Sequence, residues 1–222
     1  MAKSSRKQLL IVDDHPMMRT GLKQLIDNEP DIKVVAEADN AGQAIETVNT
    51  RGFDLILLDI SLPDRNGVEL IKDILTLKPG LPILVVSMHD ELLYAERVLR
   101  AGGRGYIMKQ EGGKKFLQAI RQVLGGKIYV SEKMSSRILE NLSGQHTTAA
   151  SADPVRRLSD REFEVFQLIG RGKGTRDIAE QLHLSIKTVE VHRANLKKKL
   201  ELKTANDLVH YAFRWVEAQP QG

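Results

Sequence analysis

Five short apolar runs, at residues 9–12, 32–35, 55–58, 83–86 and 105–108, punctuate the first 125 or so residues. The segments between them carry apolar residues at helical spacing, such as Met18, Leu22, Leu25 and Ile26, or Val68, Ile71 and Leu75, or Phe116, Leu117, Ile120 and Leu124. Runs this short and this apolar suit strands covered on both faces, the usual state of parallel strands whose crossovers are helices. Five strands alternating with five helices predict an α/β fold, a five-stranded doubly wound parallel sheet. Ligands of such sheets bind outside the carboxyl ends of the strands, which is where chemistry is to be sought.

The pattern changes after residue 127. A helix is expected at 131–142. Residues 143–154 (SGQHTTAASADP) hold no Val, Leu, Ile or aromatic residue, contribute little to a core and read as a mobile linker. Beyond them every pattern is helical, four helices in about 60 residues, which predicts a small all-α domain. The expected division is 1–127, 128–154 and 155–222. Hydrophobic residues at 41% and charged residues at 28% are ordinary for globular chains and argue against disorder. The absence of cysteine excludes disulfide scaffolds, thiolate metal sites and cysteine nucleophiles. The longest wholly aliphatic runs have four residues, against the ~20 of a membrane helix. The basic start is followed by one such run that ends in Asp13-Asp14, so no signal peptide is expected, and the expected compartment is the cytoplasm.

Three acids fall at strand ends. Asp13 and Asp14 close the first strand and Asp59 the third. In a parallel sheet these ends converge, and carboxylates crowded into one cleft raise each other's pKa unless a cation joins them. A hard divalent ion with oxygen ligands, most simply Mg²⁺, answers that need. Ser87 at the end of the fourth strand and Lys109 after the fifth reach the same edge. Metal, hydroxyl and ammonium together suit the oxygens of a phosphoryl group, with a carboxylate as nucleophile. Singly each signal is weak: Asp14 before His15-Pro16 would serve equally as a helix cap. The combination closely resembles the receiver domain of two-component response regulators, from Gln8 to about Leu124. The resemblance implies Asp59 as phosphoryl acceptor, with Asp14 as a direct Mg²⁺ ligand and Asp13 a water-mediated one. It further implies Asp59 itself and the Ser61 backbone carbonyl on the metal, Ser87 and Lys109 on the phosphoryl oxygens, and Tyr106 as the aromatic that swings inward with Ser87. A sensor histidine kinase is the implied partner. Gln110 stands where many receivers have proline. A haloacid dehalogenase-like phosphatase would need an acid two residues after the nucleophile, where this chain has Ser61, so no enzyme is expected.

Net charge is only +4, but residues 187–203 carry Lys187, Arg193, Lys197, Lys198, Lys199 and Lys203 against Glu190 and Glu201. Such a stripe hints at a polyanion. It lies in a helix-turn-helix layout in which Ser185 caps the second helix and Ile186, Val189, Leu196 and Leu200 form its buried face, with His192 as a packed core histidine. The opposite face carries Lys187, Glu190, Val191, Ala194 and Lys198. Small apolar residues there suit contact with thymine methyls in a major groove, and Glu190 suits a cytosine amino group. Arg193, Lys197, Lys199 and Lys203 flank this face and suit phosphates, and Thr188 is counted among the DNA-binding residues. The stretch from Leu158 to Ala212, with Leu158-Ser159-Asp160-Arg161-Glu162, Ile-Ala-Glu-Gln-Leu and Lys-Thr-Val-Glu-Val-His-Arg, resembles the LuxR-type helix-turn-helix. Receiver and helix-turn-helix together resemble the NarL/FixJ class. This implies a phosphorylation-controlled transcription regulator that binds double-stranded promoter DNA as a homodimer. A constitutive DNA-binding protein whose receiver only dimerises is the alternative. Either masking of the recognition helix or pairing of receivers would couple the two domains.

Overall fold

The computed structural model describes residues 6–142 and 154–218 and divides into two compact units, Met1–Leu139 and Glu140–Gly222. The linker expected at 143–154 lies, but for Pro154, outside the described residues.

In the first unit β1 (Lys7–Val12), α1 (Pro16–Asp27), β2 (Ile32–Ala38), α2 (Ala41–Thr50), β3 (Leu55–Leu58), α3 (Gly67–Leu77), β4 (Ile83–Ser87), α4 (Glu91–Arg100), β5 (Gly105–Met108) and α5 (Gly113–Leu124) follow in strict alternation. The strands form one parallel sheet in the order β2-β1-β3-β4-β5. The chain runs outward from β1 to β2 and then crosses back to β3, so the C-terminal ends of β1 and β3 are neighbours at the point where the winding reverses. Asp13 and Asp59 follow those two strands.

The unbroken apolar runs have their cause in the layers. Leu9, Ile11, Leu55, Leu57, Leu84 and Val86 pack with Leu22 and Ile26 of α1 and Phe116 and Ile120 of α5. Their alternates Leu10, Val12, Ile56, Leu58 and Val85 are equally buried on the other face. Helices cover both sides, so no strand position needs to be polar. β2 runs past the apolar pattern through Ala36-Glu37-Ala38 because it is an edge strand, where one polar residue reaches water.

The chain does not leave this unit after residue 127. Tyr129 lies beside β5: it donates its N–H to Arg104 O (3.1 Å), and its carbonyl accepts the N–H of Tyr106 (2.8 Å). Ser131 N–H then donates to Glu91 Oε1 at 2.7 Å, and Met134 of α6 (Glu132–Leu142) is buried. The expected cut after Lys127 therefore passes through residues still bonded to β5 and α4.

From residue 154 onward the second unit holds a 3₁₀ turn at Pro154–Arg157, then α7 (Asp160–Gly170), α8 (Thr175–Gln181), α9 (Ile186–Lys199) and α10 (Ala205–Glu217). Ser159 and Glu162 form a capping box at the start of α7, and Ser185 accepts Thr188 N–H to cap α9. Phe163 and Phe166 of α7 meet Trp215 of α10 edge-on, with ring centroids 5.7 and 5.5 Å apart. The two helices touch so closely at Gly170 that a Cβ there would lie 2.6 Å from Ala212 O. Val189 and Leu196 are fully buried and Leu200 nearly so, as expected, and His192 is half-buried. Ile186 departs from expectation. It is 46% exposed and occupies the first position of α9, directly after the Ser185 cap. No helix among the described residues is long and apolar enough to cross a membrane.

Candidate phosphorylation site and nucleic-acid interface

Four of the five strand-end residues singled out in the sequence, Asp13, Asp14, Asp59 and Lys109, meet in one place, and Ser87 ends the adjoining β4. Lys109 Nζ lies 2.7 Å from Asp13 Oδ2 and 2.7 Å from Asp59 Oδ2. Asp13, Asp59 and Ser87 are buried, and the Lys109 side chain is 6% exposed. Asp14, one-third exposed, forms the rim. It does not cap α1: His15 holds the N-cap position, without a side-chain bond, and Pro16 opens the helix. Burial pushes the Asp59 carboxyl up to about 6, with Asp13 adding to the rise and Lys109 opposing it. Burial would lower the Lys109 ammonium, but the two carboxylates more than offset it and hold it above its ordinary value.

Acceptor oxygens converge here without enough donors. The ligand atoms of Asp13, Asp14, His15 and Asp59 all lie within 4.8 Å of one another. Asp13 Oδ2 and Asp14 Oδ1 are buried and receive no properly directed hydrogen bond, although Lys109 and His15 stand at ion-pair distance. A set of hard oxygen donors short of protons fits Mg²⁺. Ser61 follows on the loop after β3, its N–H 3.3 Å from Asp59 Oδ1.

Tyr106, on β5, is wholly buried and donates its hydroxyl to His89 O at 2.7 Å, so it already lies inward here, whereas the resemblance implies an inward swing as Ser87 closes on the phosphoryl group. Burial raises its pKa far above the ordinary phenol value. The sequence reading missed His89. Its N–H donates to Ser87 Oγ (3.2 Å), its ring stacks on Tyr94 (4.7 Å), and its Nε2 is 2.9 Å from Ser61 Oγ. One residue thus joins the Ser87 hydroxyl, the inward Tyr106 and the loop after Asp59. It was also silent on His15, whose backbone N–H donates to Asp13 Oδ1 (2.9 Å) while ring Nδ1 lies 2.6 Å from Asp14 Oδ1. The dipeptide His15-Pro16 offered a signal for the second; nothing near His89 offered one for the first.

In the second unit α9 presents Lys187, Glu190, Val191, Ala194 and Lys198 to solvent, with Val191 52% exposed. Arg193 and Lys197 are half-buried and line a shallow groove with Ala205 and Leu208 of α10. Thr188 is held back, its Oγ1 2.7 Å from Ser185 Oγ. Lys199, expected to face phosphates, instead pairs with the buried Glu162 at 2.6 Å. Burial alone would raise the Glu162 carboxyl; Lys199 and the Ser159 amide hold it below its ordinary value. The cause is the capping box, which turns Glu162 inward beneath the last turn of α9.

Comparison with known proteins gives these two sites a family. The family model of the response regulator receiver domain matches residues 9–121, and that of the bacterial regulatory proteins of the luxR family matches residues 156–212. The oxygen regulatory protein NreC of Staphylococcus haemolyticus is 36% identical over 210 residues, covering 93% of this chain and 97% of that one; NreC of Staphylococcus carnosus is 35% identical over 211. Among solved structures, RcsB of Salmonella enterica serovar Typhimurium, bound to the rprA promoter with the phosphomimetic BeF₃⁻, is similar with a TM-score of 0.62 at 26% identity, over 94% of this chain and 99% of that chain. A LuxR-family response regulator of Aurantimonas reaches 0.58 at 32% identity, over 63% of this chain and 99% of that one. Fold, pocket and basic helix together define a two-component response regulator with a DNA-binding output domain. The chain belongs to the NarL/FixJ class of that family, and it is a phosphorylation-controlled, DNA-binding transcription regulator.

Proposed function

We propose that Asp59 is the phosphoryl acceptor and that a sensor histidine kinase is the donor. The observation that carries this is the buried carboxylate of Asp59 held 2.7 Å from the Lys109 ammonium, at the reversal point of the sheet. An Asp59 oxygen attacks phosphorus as the bond to the donor nitrogen breaks, and the leaving imidazole takes up a proton. Asp13, Asp14, Asp59 and the Ser61 carbonyl would hold Mg²⁺, which offsets charge on the transferring group. Lys109 neutralises one phosphoryl oxygen, and Ser87, whose Oγ accepts the His89 N–H, turns its own O–H to another. Movement of that Oγ pulls on His89, whose carbonyl anchors Tyr106, and so reaches α4.

The exposed face of α9 reads DNA. Glu190, Val191 and Ala194 face base edges in the major groove, while Lys187, Thr188, Arg193, Lys197 and Lys198 lie toward the phosphates. The protein binds promoter DNA as a homodimer on half-sites about one helical turn apart.

Incubation with a small-molecule phosphodonor and Mg²⁺ followed by intact mass tests the acceptor. The wild-type chain gains one ~80 Da adduct, and both chelation and Asp59→Asn abolish it. Full labelling of the Asn variant overturns the assignment.

A further inference from the structure

Asp64 stands on the loop that joins β3 to α3, and its carboxylate serves a different element. Oδ1 accepts the N–H of Ala41 at 2.8 Å and Oδ2 the N–H of Gly42 at 2.9 Å. These are the first two amides of α2. Asn40, the local N-cap, takes the third by accepting Gln43 N–H at 2.8 Å. Helices leave their first amides unsatisfied, and a carboxylate there also meets the positive end of the helix dipole. A cap normally comes from the adjoining residue. This one comes from 23 and 22 residues away, so it is also a tie between two loops.

Those loops continue from strand ends that adjoin the acidic pocket. The turn into α2 follows Ala38, whose carbonyl accepts the N–H of Asp13 at 3.1 Å. The β3–α3 loop follows Asp59 and carries Ser61. The base of that loop is drawn tight: Gly67 N–H donates to Ile60 O at 2.8 Å, and Ser61 pairs with Asn66. A Cβ on Gly67 would fall 2.4 Å from Asp59 O, so the loop closes hard against the acceptor itself. A loop with so little slack passes a displacement at its tip on to Ser61. Hydrogen bonds and chain therefore form a ring, from Asp13 through Ala38, α2 and Asp64 to Ser61 and Asp59, and the Asp64 carboxylate is its clasp.

We propose that Asp64 is a positioning residue for divalent-cation binding, fixing the Ser61 carbonyl relative to Asp13 and Asp14. This rests on the metal reading above. Mg²⁺ demands near-ideal octahedral geometry, so loosening one loop weakens binding even though no ligand is lost.

The test uses the full chain. Calorimetric titration with Mg²⁺ is paired with amide hydrogen exchange at Ala41 and Gly42. Asp64→Ala should raise the Mg²⁺ half-saturation concentration about three- to tenfold, the scale of one lost cap, and speed exchange at both amides. Asp64→Asn keeps one acceptor oxygen and should fall between the two. If removal of the negative charge were the whole effect, Ala and Asn would be equally impaired, and the proposal would be wrong. Faster exchange with an unchanged Mg²⁺ half-saturation would confine Asp64 to capping α2 and would equally overturn it. Absence of Mg²⁺ binding by the wild-type chain overturns the metal reading and this proposal with it; binding that Asp64→Ala leaves unchanged overturns this proposal alone.

Discussion

Lys109 and Lys198 carry the same ammonium in opposite settings. Lys109 is withdrawn from water between two carboxylates, while Lys198 stands in solvent on the outer face of α9. The pattern extends to their neighbours. Among the described residues the pocket binds its charges in short ion pairs, whereas Lys187, Arg193, Lys197 and Lys198 have no acidic partner at ion-pair distance. Covalent transfer to a carboxylate needs preorganised charge in a low dielectric, where each interaction is strong. Contact with a polyanion needs the reverse. A lysine already paired has nothing to give a phosphate, and the gain on binding comes from released counterions. Lys199 marks the boundary between the two regimes: it lies in the basic stripe by sequence yet is spent on Glu162.

The largest expected effect comes from moving a charge inside the pocket. Lys109→Met removes the ammonium held by both Asp13 and Asp59, and the rate of labelling by a small phosphodonor should fall about 10²- to 10³-fold. A rate within threefold of wild type would mean that the pocket is no more preorganised than the surface of α9.

Next is the cost of burying Asp59. Its carboxyl titrates at about 6 in the folded chain against 3.8 unfolded. Folding therefore favours the protonated form; the associated stability is present below pH 4 and is lost as pH rises through 6. Without divalent ions this amounts to about 3 kcal/mol between pH 4 and pH 8. Asp59→Asn should remove that part of the pH dependence, so urea unfolding in chelator should show the variant gaining on wild type as pH rises. Parallel curves for the two proteins would show that the site is better solvated than its burial implies.

Glu162→Gln probes the boundary case. It leaves Lys199 unpaired and weakens the cap on α7, so thermal or urea unfolding of the second unit should show a loss of about 1–2 kcal/mol. DNA affinity measured well below the melting temperature should hardly change, because Lys199 does not face phosphate. A large affinity loss without a stability loss would return Lys199 to the DNA-contacting set.

The smallest effect belongs to single surface cations. Lys197→Ala should weaken binding to all sequences and flatten the slope of log affinity against log salt by about 1. Val191→Glu should instead alter which sequences are preferred. If both variants changed preference alike, the division of α9 into backbone and base contacts would fail.

Much of this was legible before any coordinates. Five apolar runs bounded by helical spacing sufficed for the sheet, because strands covered on both faces leave no polar positions to blur the pattern. Asp13, Asp59, Ser87 and Lys109 were legible because each sits at a strand end, and parallel strands bring their ends together whatever the loops do. The exposed side of α9 followed from its period, apart from Ile186, which sits at the first position of the helix and is half exposed. His89 was not legible, since its importance lies in what its ring and backbone meet across the β4–α4 loop.

The sequence by itself therefore determined the elements, their order, the presence of two domains and which charged residues gather at the strand ends and along α9. Those follow from periodicity and from strand-end position, which are local in the chain. Only the tertiary structure decided which side chains are spent on one another: Lys199 on Glu162, Glu91 on Ser131, Asp64 on α2, His89 on Ser61. These partners lie 22 to 40 residues apart and are brought within 3 Å by the paths of loops. No period encodes such a path, because it is set by how the elements pack.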